Sequence, residues 1–333
     1  MKWHTETEIR KMERLIGYPD SLLLIGSCFT ENIGARLRKF RFPVCENPHG
    51  ILFNPVSVTA ALQTYIAPQA ITESDLFILN DTWHSWQHHS RFSSADPATA
   101  VQKINSAINE AHRFLRNADH LFITLGSAWV YRLTEEAAGN QAGQVAANNH
   151  KAPASWFRKE LLTAAATTQM LLQCIHALLA FNPDLHIIFT ISPVRHLREG
   201  TVQNNRSKAV LIQAVHEIVA AVEQADYFPA YELVIDDLRD YRFYAEDLVH
   251  PNYAATEYVW EKLLLTAFQS DALELMKRIQ DIALAFQHRP INPASSQHQQ
   301  FLATYLQKTQ SLQKEFPFLD MSAEINFFSS QHS

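Results

Sequence analysis

The stretch Leu22-Leu23-Leu24-Ile25-Gly26-Ser27-Cys28-Phe29 predicts the fold of this chain. Its four apolar residues predict a buried strand, and the amphipathic segment 31–40 that follows predicts a helix. A strand that turns through Gly-Ser into a helix can hold a hydroxyl at the carboxyl edge of a parallel sheet, a favoured place for a nucleophile in an open α/β fold. Ser27 is therefore a candidate nucleophile, although a serine at this position also caps helices.

The alternation of strand and helix continues along the chain. Further buried strands are predicted at 120–125, 185–191 and 231–235, and helices at 56–65, 98–115, 156–179, 208–222, 253–268 and 272–286. Strands that are apolar throughout favour a mostly parallel central sheet covered by helices on both faces, so the predicted fold class is α/β. We predict one domain over 1–287 with loop insertions, and a linker and polar helical tail over 288–333 that caps the core or mediates assembly.

Composition limits the classes of function. The 333 residues carry a net charge of −6, so the chain lacks the basic surface that nucleic-acid binding requires. Three cysteines without a Cys-x-x-Cys pair argue against a disulfide framework or a cysteine zinc site. The N-terminus has no apolar signal core, and the apolar stretches look too short to cross a bilayer. We therefore expect a cytoplasmic protein with neither a nucleic-acid nor a membrane partner.

A second element could supply a general base for Ser27. Asp247 and His250 are three residues apart before Pro251, so the carboxylate can orient the imidazole and stabilise its protonated form. The chain order Ser-Asp-His occurs in α/β hydrolases, although Phe29 stands where the Gly-x-Ser-x-Gly elbow has its second glycine. Two alternatives stay open: an incidental pair among sixteen histidines, and a Cys28 nucleophile activated at a helix N-terminus.

Acyl transfer also needs hydrogen-bond donors for the developing oxyanion. The backbone amides of Ser27 and Gly50, with a donor from the loop at Ser127, could supply them, and ordinary turns explain the same glycines equally well. His84 and His88 have the spacing of a helical metal site, but no carboxylate lies close by in sequence. This aromatic and histidine-rich segment predicts a pocket wall or a buried polar cluster, and no metal.

Several ordered blocks of sequence resemble the GSCFA family, which is similar to the SGNH/GDSL hydrolases. The blocks are Gly26-Ser27-Cys28-Phe29, Gly50-Ile51-Leu52-Phe53-Asn54-Pro55, Thr124-Leu125-Gly126-Ser127-Ala128-Trp129-Val130-Tyr131, Asn149-His150-Lys151, Ser192-Pro193-Val194-Arg195-His196, Tyr241-Arg242-Phe243-Tyr244 and His250-Pro251. The resemblance implies a flavodoxin-like three-layer α/β/α domain. It also implies a Ser27 nucleophile, Asp247 and His250 as its partners, and Gly50 as an oxyanion donor.

The sequence departs from the SGNH pattern at two points. Gly26 stands in place of the aspartate before the serine, and Ala128 stands in place of the oxyanion-hole asparagine. Ser127, Asn54 or a histidine of the pair His88-His89 are the candidate replacements. Residues expected to contact substrate are Asn54, Trp86, His88, His89, Trp129, His150, Arg195 and His196.

These observations predict a serine esterase or acyl transferase that needs no metal or organic cofactor. The histidine and aromatic side chains suit a small polar ester, such as an O-acetylated carbohydrate. The missing asparagine motivates a second hypothesis, a catalytically weak ligand-binding protein on the same scaffold. A cysteine enzyme that uses Cys28 ranks third.

Overall fold

The structure is a computed structural model that describes residues 5–139 and 141–330. Its strands are β1 Leu22–Gly26, β2 Val44–Glu46, β3 Phe77–Leu79, β4 Thr82–His84, β5 His120–Leu125, β6 Trp129–Leu133, β7 Val145–Ala146, β8 Phe157–Leu161, β9 His186–Ile191 and β10 Ala225–Phe228. Its helices are α1 Cys28–Lys39, α2 Pro55–Ile66, α3 Pro97–Leu115, α4 Ala164–Phe181, α5 Thr201–Ala221, α6 Ala230–Glu232, α7 Tyr253–Ala267, α8 Ser270–Gln287, α9 Ser296–Glu315 and α10 Ser322–Ser330.

The central sheet has five parallel strands in the order β10-β9-β5-β1-β2. If these five strands are renumbered 1 to 5 along the chain, the order read from the β2 edge is 2-1-3-4-5. This is the flavodoxin-like arrangement, which confirms the predicted fold class. The strand order reverses between β1 and β5, whose last residues are paired as Gly26 with Thr124. In such sheets ligands bind outside the carboxyl ends of the strands at this reversal, which is where Ser27 lies.

Alternate residues of β1 face two separate cores, as expected for a sheet covered on both sides. Leu22 and Leu24 pack with α1, α7 and α8 on one face. Leu23 and Ile25 pack with α2, α3, α4 and α5 on the other. The three-layer α/β/α architecture follows directly from this burial pattern.

Two predicted elements were wrong. The segment 156–179 is not one helix, because Phe157–Leu161 forms β8 and pairs antiparallel with β6, while α4 starts at Ala164. The segment 231–235 is not a strand, because it continues α6 into a π-helical turn at Leu233–Leu238, and the edge strand is Ala225–Phe228. Strands β6, β7 and β8 form a small antiparallel sheet inserted directly after β5.

The C-terminal tail packs on the domain. Leu302 and Leu312 of α9 and Phe328 of α10 belong to the same buried cluster as α7 and α8, so the tail covers this face of the core. The domain boundary at residue 288 stays a prediction. One helix, α4, is long and apolar enough to cross a membrane by length and composition alone, which corrects the expectation that every apolar stretch is too short. In this fold α4 buries part of its surface in the core through Thr167, Leu171, Cys174, Ile175 and Leu178.

Candidate active site

Ser27 lies between β1 and α1 and is completely buried. Its Oγ accepts a hydrogen bond from the Phe29 amide at 3.3 Å, so this serine caps α1 as well as standing at the strand end. Gly26, before it, has φ +141°, and a Cβ there would lie 2.1 Å from the Thr124 carbonyl oxygen. Only glycine therefore allows β1 to approach β5 closely enough to set the serine at this point.

Asp247 and His250 form the predicted pair. The Asp247 Oδ2 lies 2.6 Å from His250 Nδ1, and Oδ1 accepts from the amides of Val249 and His250 at 2.9 and 3.0 Å. These backbone amides, and then the His250 side chain, lower the pKa of Asp247 to about 2. An ionised Asp247 holds the proton on Nδ1, which leaves the lone pair of the imidazole on Nε2.

The Asp247–His250 turn lies beside the loop that follows β9. The Arg195 amide of that loop donates to the Val249 carbonyl at 3.2 Å. The His250 side chain is half exposed, and its turn is bonded to a loop at the carboxyl edge of the sheet, the edge at which Ser27 lies. Within the described residues no hydrogen bond joins His250 to Ser27, whose Oγ accepts from the Phe29 amide.

Three buried polar residues at the start of α5 hold the strand-end loops in place. Asn204 Oδ1 accepts from the His196 amide at 2.9 Å, and Ser207 Oγ accepts from the Ala128 amide at 2.7 Å. Lys208 Nζ donates to the carbonyls of Gly126 at 2.7 Å and Ser192 at 2.6 Å. The first turns of α5 therefore bind the loops after β5 and β9 to each other.

Lys208 is a buried cation that the sequence analysis missed. Its side chain is 1% exposed, and burial lowers its pKa to about 7, an effect that the nearby Cys28 thiol partly opposes. No carboxylate within the described residues pairs with it. Lys208 is therefore only partly charged near pH 7, and its hydrogen bonds to two strand-end carbonyls satisfy part of its donor capacity.

The backbone amides of Ser27 and Gly50, expected to form the oxyanion hole, are occupied, and so is the amide of Ser127, whose loop was expected to add a donor. The Ser27 amide donates to the Thr124 carbonyl at 3.2 Å, the Gly50 amide to Asn47 at 2.7 Å and the Ser127 amide to Phe53 at 2.9 Å. The Ser127 hydroxyl also lies 3.2 Å from Ser207 Oγ. This corrects the expectation of a preformed oxyanion hole at these positions, because an amide that already donates to a carbonyl is not free for substrate.

Two asparagine side chains retain an unused donor. Asn54 Oδ1 caps α2 by accepting from Ser57 at 2.9 Å, whereas its Nδ2 donates to none of the described residues. Asn47 Oδ1 accepts from the Gly26 amide at 2.8 Å, and its buried Nδ2 has no partner within the described part of the chain. Asn54 lines a cavity and was an expected replacement donor, while Asn47 was not foreseen.

A cavity of about 300 Å³ opens at this edge. It is lined by four expected or candidate residues, Asn54, Ser127, Trp129 and His196, together with residues of the β6–β7 insertion. A larger cavity of about 1000 Å³ lies between α1, α7 and α8. That larger cavity has no strand-end residue in its lining, so the smaller one is the better candidate for substrate, although Ser27, Asp247 and His250 line neither cavity.

His196 presents an imidazole nitrogen to Gly126. Its buried Nε2 has no hydrogen-bond partner within the described residues and lies 3.1 Å from the position that a Gly126 Cβ would take. Burial, and then the charges of Lys208 and His250, lower the pKa of His196 to about 4. This histidine is therefore neutral near pH 7, and it lies in the wall of the cavity with its Nε2 facing Gly126.

Two of the other expected substrate contacts, Trp86 and His88, belong to the core. Trp86 is 1% exposed and stacks on Phe77 with 3.7 Å between ring centroids, and His88 is 2% exposed with Nδ1 2.8 Å from Ser85 Oγ. This corrects their assignment to a pocket wall.

His89 caps a short 3-10 helix by accepting from the Arg91 amide. The Arg195 guanidinium lies 4.4 Å from the ring centroid of Tyr244.

The metal and cysteine alternatives can be compared with the geometry. His84 lies on β4 and His88 in the turn after it, so the helical spacing required of a metal pair is not realised. Within residues 5–139 and 141–330, no group of three or more His, Cys, Asp or Glu side chains could hold a metal ion. Burial raises the pKa of the Cys28 thiol despite the nearby Lys208 charge, which makes Cys28 a weaker nucleophile.

The sequence model of the GSCFA family matches residues 21–263, and that of the GSCFA domain protein C-terminal domain matches residues 279–333. No curated protein matches the chain. One similar solved structure, from Streptococcus pneumonia, is described as a platelet activating factor, with 13% identity, a TM-score of 0.39, and coverage of 75% of this chain and 85% of that one.

Another similar solved structure is an acetyl xylan esterase from the rumen bacterium Butyrivibrio proteoclasticus. It is 10% identical in sequence, with a TM-score of 0.35, and the aligned region covers 80% of this chain and 65% of the esterase chain. Likenesses as distant as these two indicate neither an activity nor a substrate for this chain.

Proposed function

The chain belongs to the GSCFA family, and on that premise we propose that it is a serine hydrolase or acyl transferase acting on an ester. The observation that carries the proposal is the 2.6 Å contact between Asp247 and His250 on the turn bound to the loop after β9. Ser27, at the end of β1, is the hydroxyl at the reversal of strand order. A carboxylate, an imidazole and a hydroxyl in these roles make up the machinery of acyl transfer.

The proposed reaction begins with attack of Ser27 Oγ on the acyl carbon. His250 Nε2 takes the hydroxyl proton, and Asp247 stabilises the resulting imidazolium. The proton then passes to the departing alkoxide, which leaves an acyl group on Ser27. Water or another hydroxyl, activated by the same imidazole, releases the acyl group. Because Ser27 is fully buried, the residues over it must move before an ester reaches its Oγ.

In this scheme the Asn54 Nδ2 donor stabilises the oxyanion. Asn54 supports this role because its free donor lines the cavity. A donor held in place by the fold favours the transition state more than a mobile donor in solvent does. Asn54 would thus substitute for the asparagine that Ala128 replaces.

We further propose that the substrate is a small polar ester, such as an O-acetylated carbohydrate. The polar side chains of Asn54 and Ser127, with the Trp129 ring, suit a hydroxylated ligand with a short acyl group. The protein requires no cofactor in this scheme. From the composition, we propose a cytoplasmic protein without nucleic-acid or membrane partners.

A second candidate function is ligand binding without turnover. Two observations favour it: Ser27 is inaccessible, and the three amides at Ser27, Gly50 and Ser127 are occupied. If this conformation does not open, a ligand can bind in the cavity next to Asn54 and His196 without being attacked.

The test is a panel of acyl esters, including acetylated sugars and p-nitrophenyl esters, assayed with wild type, Ser27→Ala and His250→Ala. We expect at least one ester to be turned over by wild type, with kcat lowered about 10³-fold or more in both variants. The exposed His216 on α5 supplies a control, because His216→Ala should retain full activity. Turnover that survives in Ser27→Ala would contradict the serine mechanism, and no turnover of any ester would favour ligand binding.

A further inference from the structure

A further cavity, of about 630 Å³, adjoins the candidate site. It shares Tyr131, Asn148, Asn149 and Arg198 with the cavity of about 300 Å³ that is lined by Asn54 and His196. The two cavities are therefore neighbours that share four wall residues, and the cavity of about 630 Å³ is the outer cavity.

The outer cavity concentrates positive charge in a chain whose net charge is negative. Three cationic side chains line it, Lys151, Lys159 and Arg198. The nearby carboxylate of Glu199 is paired with Lys159 and accepts from the Tyr131 hydroxyl at 3.4 Å. Within the described residues, neither Lys151 nor Arg198 has a carboxylate partner, so two cations remain uncompensated.

The remaining polar lining is fixed and neutral. His150 Nε2 lies 2.8 Å from the Ser85 carbonyl, and burial lowers the pKa of His150 to about 4. Asn148 Oδ1 accepts from the His150 amide at 2.9 Å. The amides of residues 147 and 148 donate to the Trp86 carbonyl at 2.8 and 3.3 Å, which ties this loop to the buried core.

The loop also holds two consecutive residues in the left-handed region. His150 has φ +48° and Lys151 has φ +59°, conformations that cost energy for residues other than glycine. Such strain persists where the surrounding contacts impose it, and it collects at ligand-binding loops. Here the strained conformation carries Lys151 at the rim of the cavity.

We propose that the outer cavity binds an anionic group, a phosphate or a carboxylate, on the alcohol part of the substrate. The proposal rests on the proposed ester chemistry, which it deepens by naming the charge of the substrate. The guanidinium of Arg198 and the ammonium of Lys151 supply the charge-assisted hydrogen bonds, and the side-chain Nδ2 groups of Asn148 and Asn149 supply neutral ones. The acyl group then lies in the smaller cavity and the anion in the outer one.

The test measures binding rather than turnover, with Ser27→Ala as the background. Titration calorimetry with glucose 6-phosphate, glucuronate and glucose separates a phosphate, a carboxylate and a neutral sugar of similar size. We expect one or both anionic sugars to bind at least about tenfold more tightly than glucose, and their binding to weaken with added salt. The two anionic arms decide which anion the cavity prefers.

Charge-matched variants locate the site. Arg198→Gln and Lys151→Gln should each weaken binding of the preferred anionic sugar by about tenfold or more and leave glucose unchanged. Arg158→Gln, on β8 but outside the cavity lining, makes the same change in net charge and should have little effect. Equal binding of all three sugars, or equal effects of Arg158→Gln and Arg198→Gln, would overturn the proposal. A protein that binds the anionic sugar but turns over no ester would refute the ester chemistry alone.

Discussion

Asn54 uses the two atoms of its amide for different purposes. The Oδ1 atom caps α2 through the Ser57 amide, and the Nδ2 donor is free at the cavity. Aspartate keeps an acceptor for the cap but has no donor for the oxyanion. The helix cap and the proposed oxyanion donor can therefore be separated at this one residue.

The first prediction concerns Asn54→Asp. We expect kcat on the ester identified by the panel to fall by about 10² or more, because a donor to the oxyanion is lost and a negative charge takes its place. The melting temperature should stay close to that of wild type, since the cap of α2 is retained. Asn54→Ala serves as the control, because it removes both functions. Unchanged kcat in Asn54→Asp would exclude Asn54 from the oxyanion site.

Some residues of the candidate site have a signal in the sequence and others do not. Ser27, Asp247 and His250 could be named because strand ends and a short spacing identify them. Lys208 belongs to no motif, but it continues a buried helical face with Asn204, Ser207 and Leu211, a face that is polar only at its start. That change from polar to apolar was the available signal. The unpaired Asn47 Nδ2 had none, since it depends on a contact 21 residues away with Gly26.

At the level of elements, the closeness of β1 and β5 depends on Gly26. A Cβ there would lie 2.1 Å from the Thr124 carbonyl oxygen, and φ is +141°. The contact is with backbone, so no flexible side chain can move aside. Gly143 provides a comparison, because its φ is +84° and, its chain neighbours aside, no atom of the described residues lies within 4 Å of the Cβ position.

The second prediction compares these two glycines. Gly26→Ala should lower the free energy of unfolding by about 4 kcal/mol or more, because the sheet must separate next to Ser27. Gly143→Ala should cost only about 1 kcal/mol, the cost of the backbone conformation alone. Urea denaturation measures both. Similar losses for the two variants would show that close packing of β1 on β5 is not what requires Gly26.

The elements that were mispredicted depend on tertiary contacts. Phe157–Leu161 has no local feature that excludes a helix, and it becomes β8 because β6 offers an antiparallel partner. Its boundary does have a local mark, the Thr163 hydroxyl that accepts from the Ala166 amide at the start of α4. In contrast, the segments at 120–125 and 185–191 are apolar throughout and surrounded by helices, so their burial could be predicted from the sequence.

For the whole molecule, the buried histidines make stability depend on pH. Burial is the main cause that lowers the pKa of His88 to about 3, those of His150 and His196 to about 4, and that of His49 well below its usual value. In the unfolded chain these groups titrate near pH 6.5. Between pH 6.5 and 4 the unfolded chain therefore binds more protons than the folded protein, so acid favours unfolding.

The third prediction is a loss of stability by several kcal/mol as the pH falls from 6.5 to about 4, with little contribution from these histidines above pH 7. Urea denaturation at a series of pH values measures it. His150→Gln, which keeps a donor for the Ser85 carbonyl, should give a shallower decline because one titrating group is removed. A decline as steep as that of wild type would mean that His150 is not held neutral by the fold.

The central claim is that Ser27 is a nucleophile activated by His250. The most direct measurement is labelling with a serine-reactive fluorophosphonate, followed by peptide mass spectrometry. We predict a single adduct on the peptide containing Ser27, no adduct in Ser27→Ala, and labelling slowed about 10²-fold or more in His250→Ala. Equal labelling of wild type and Ser27→Ala, or an adduct on Cys28 instead, would contradict the account.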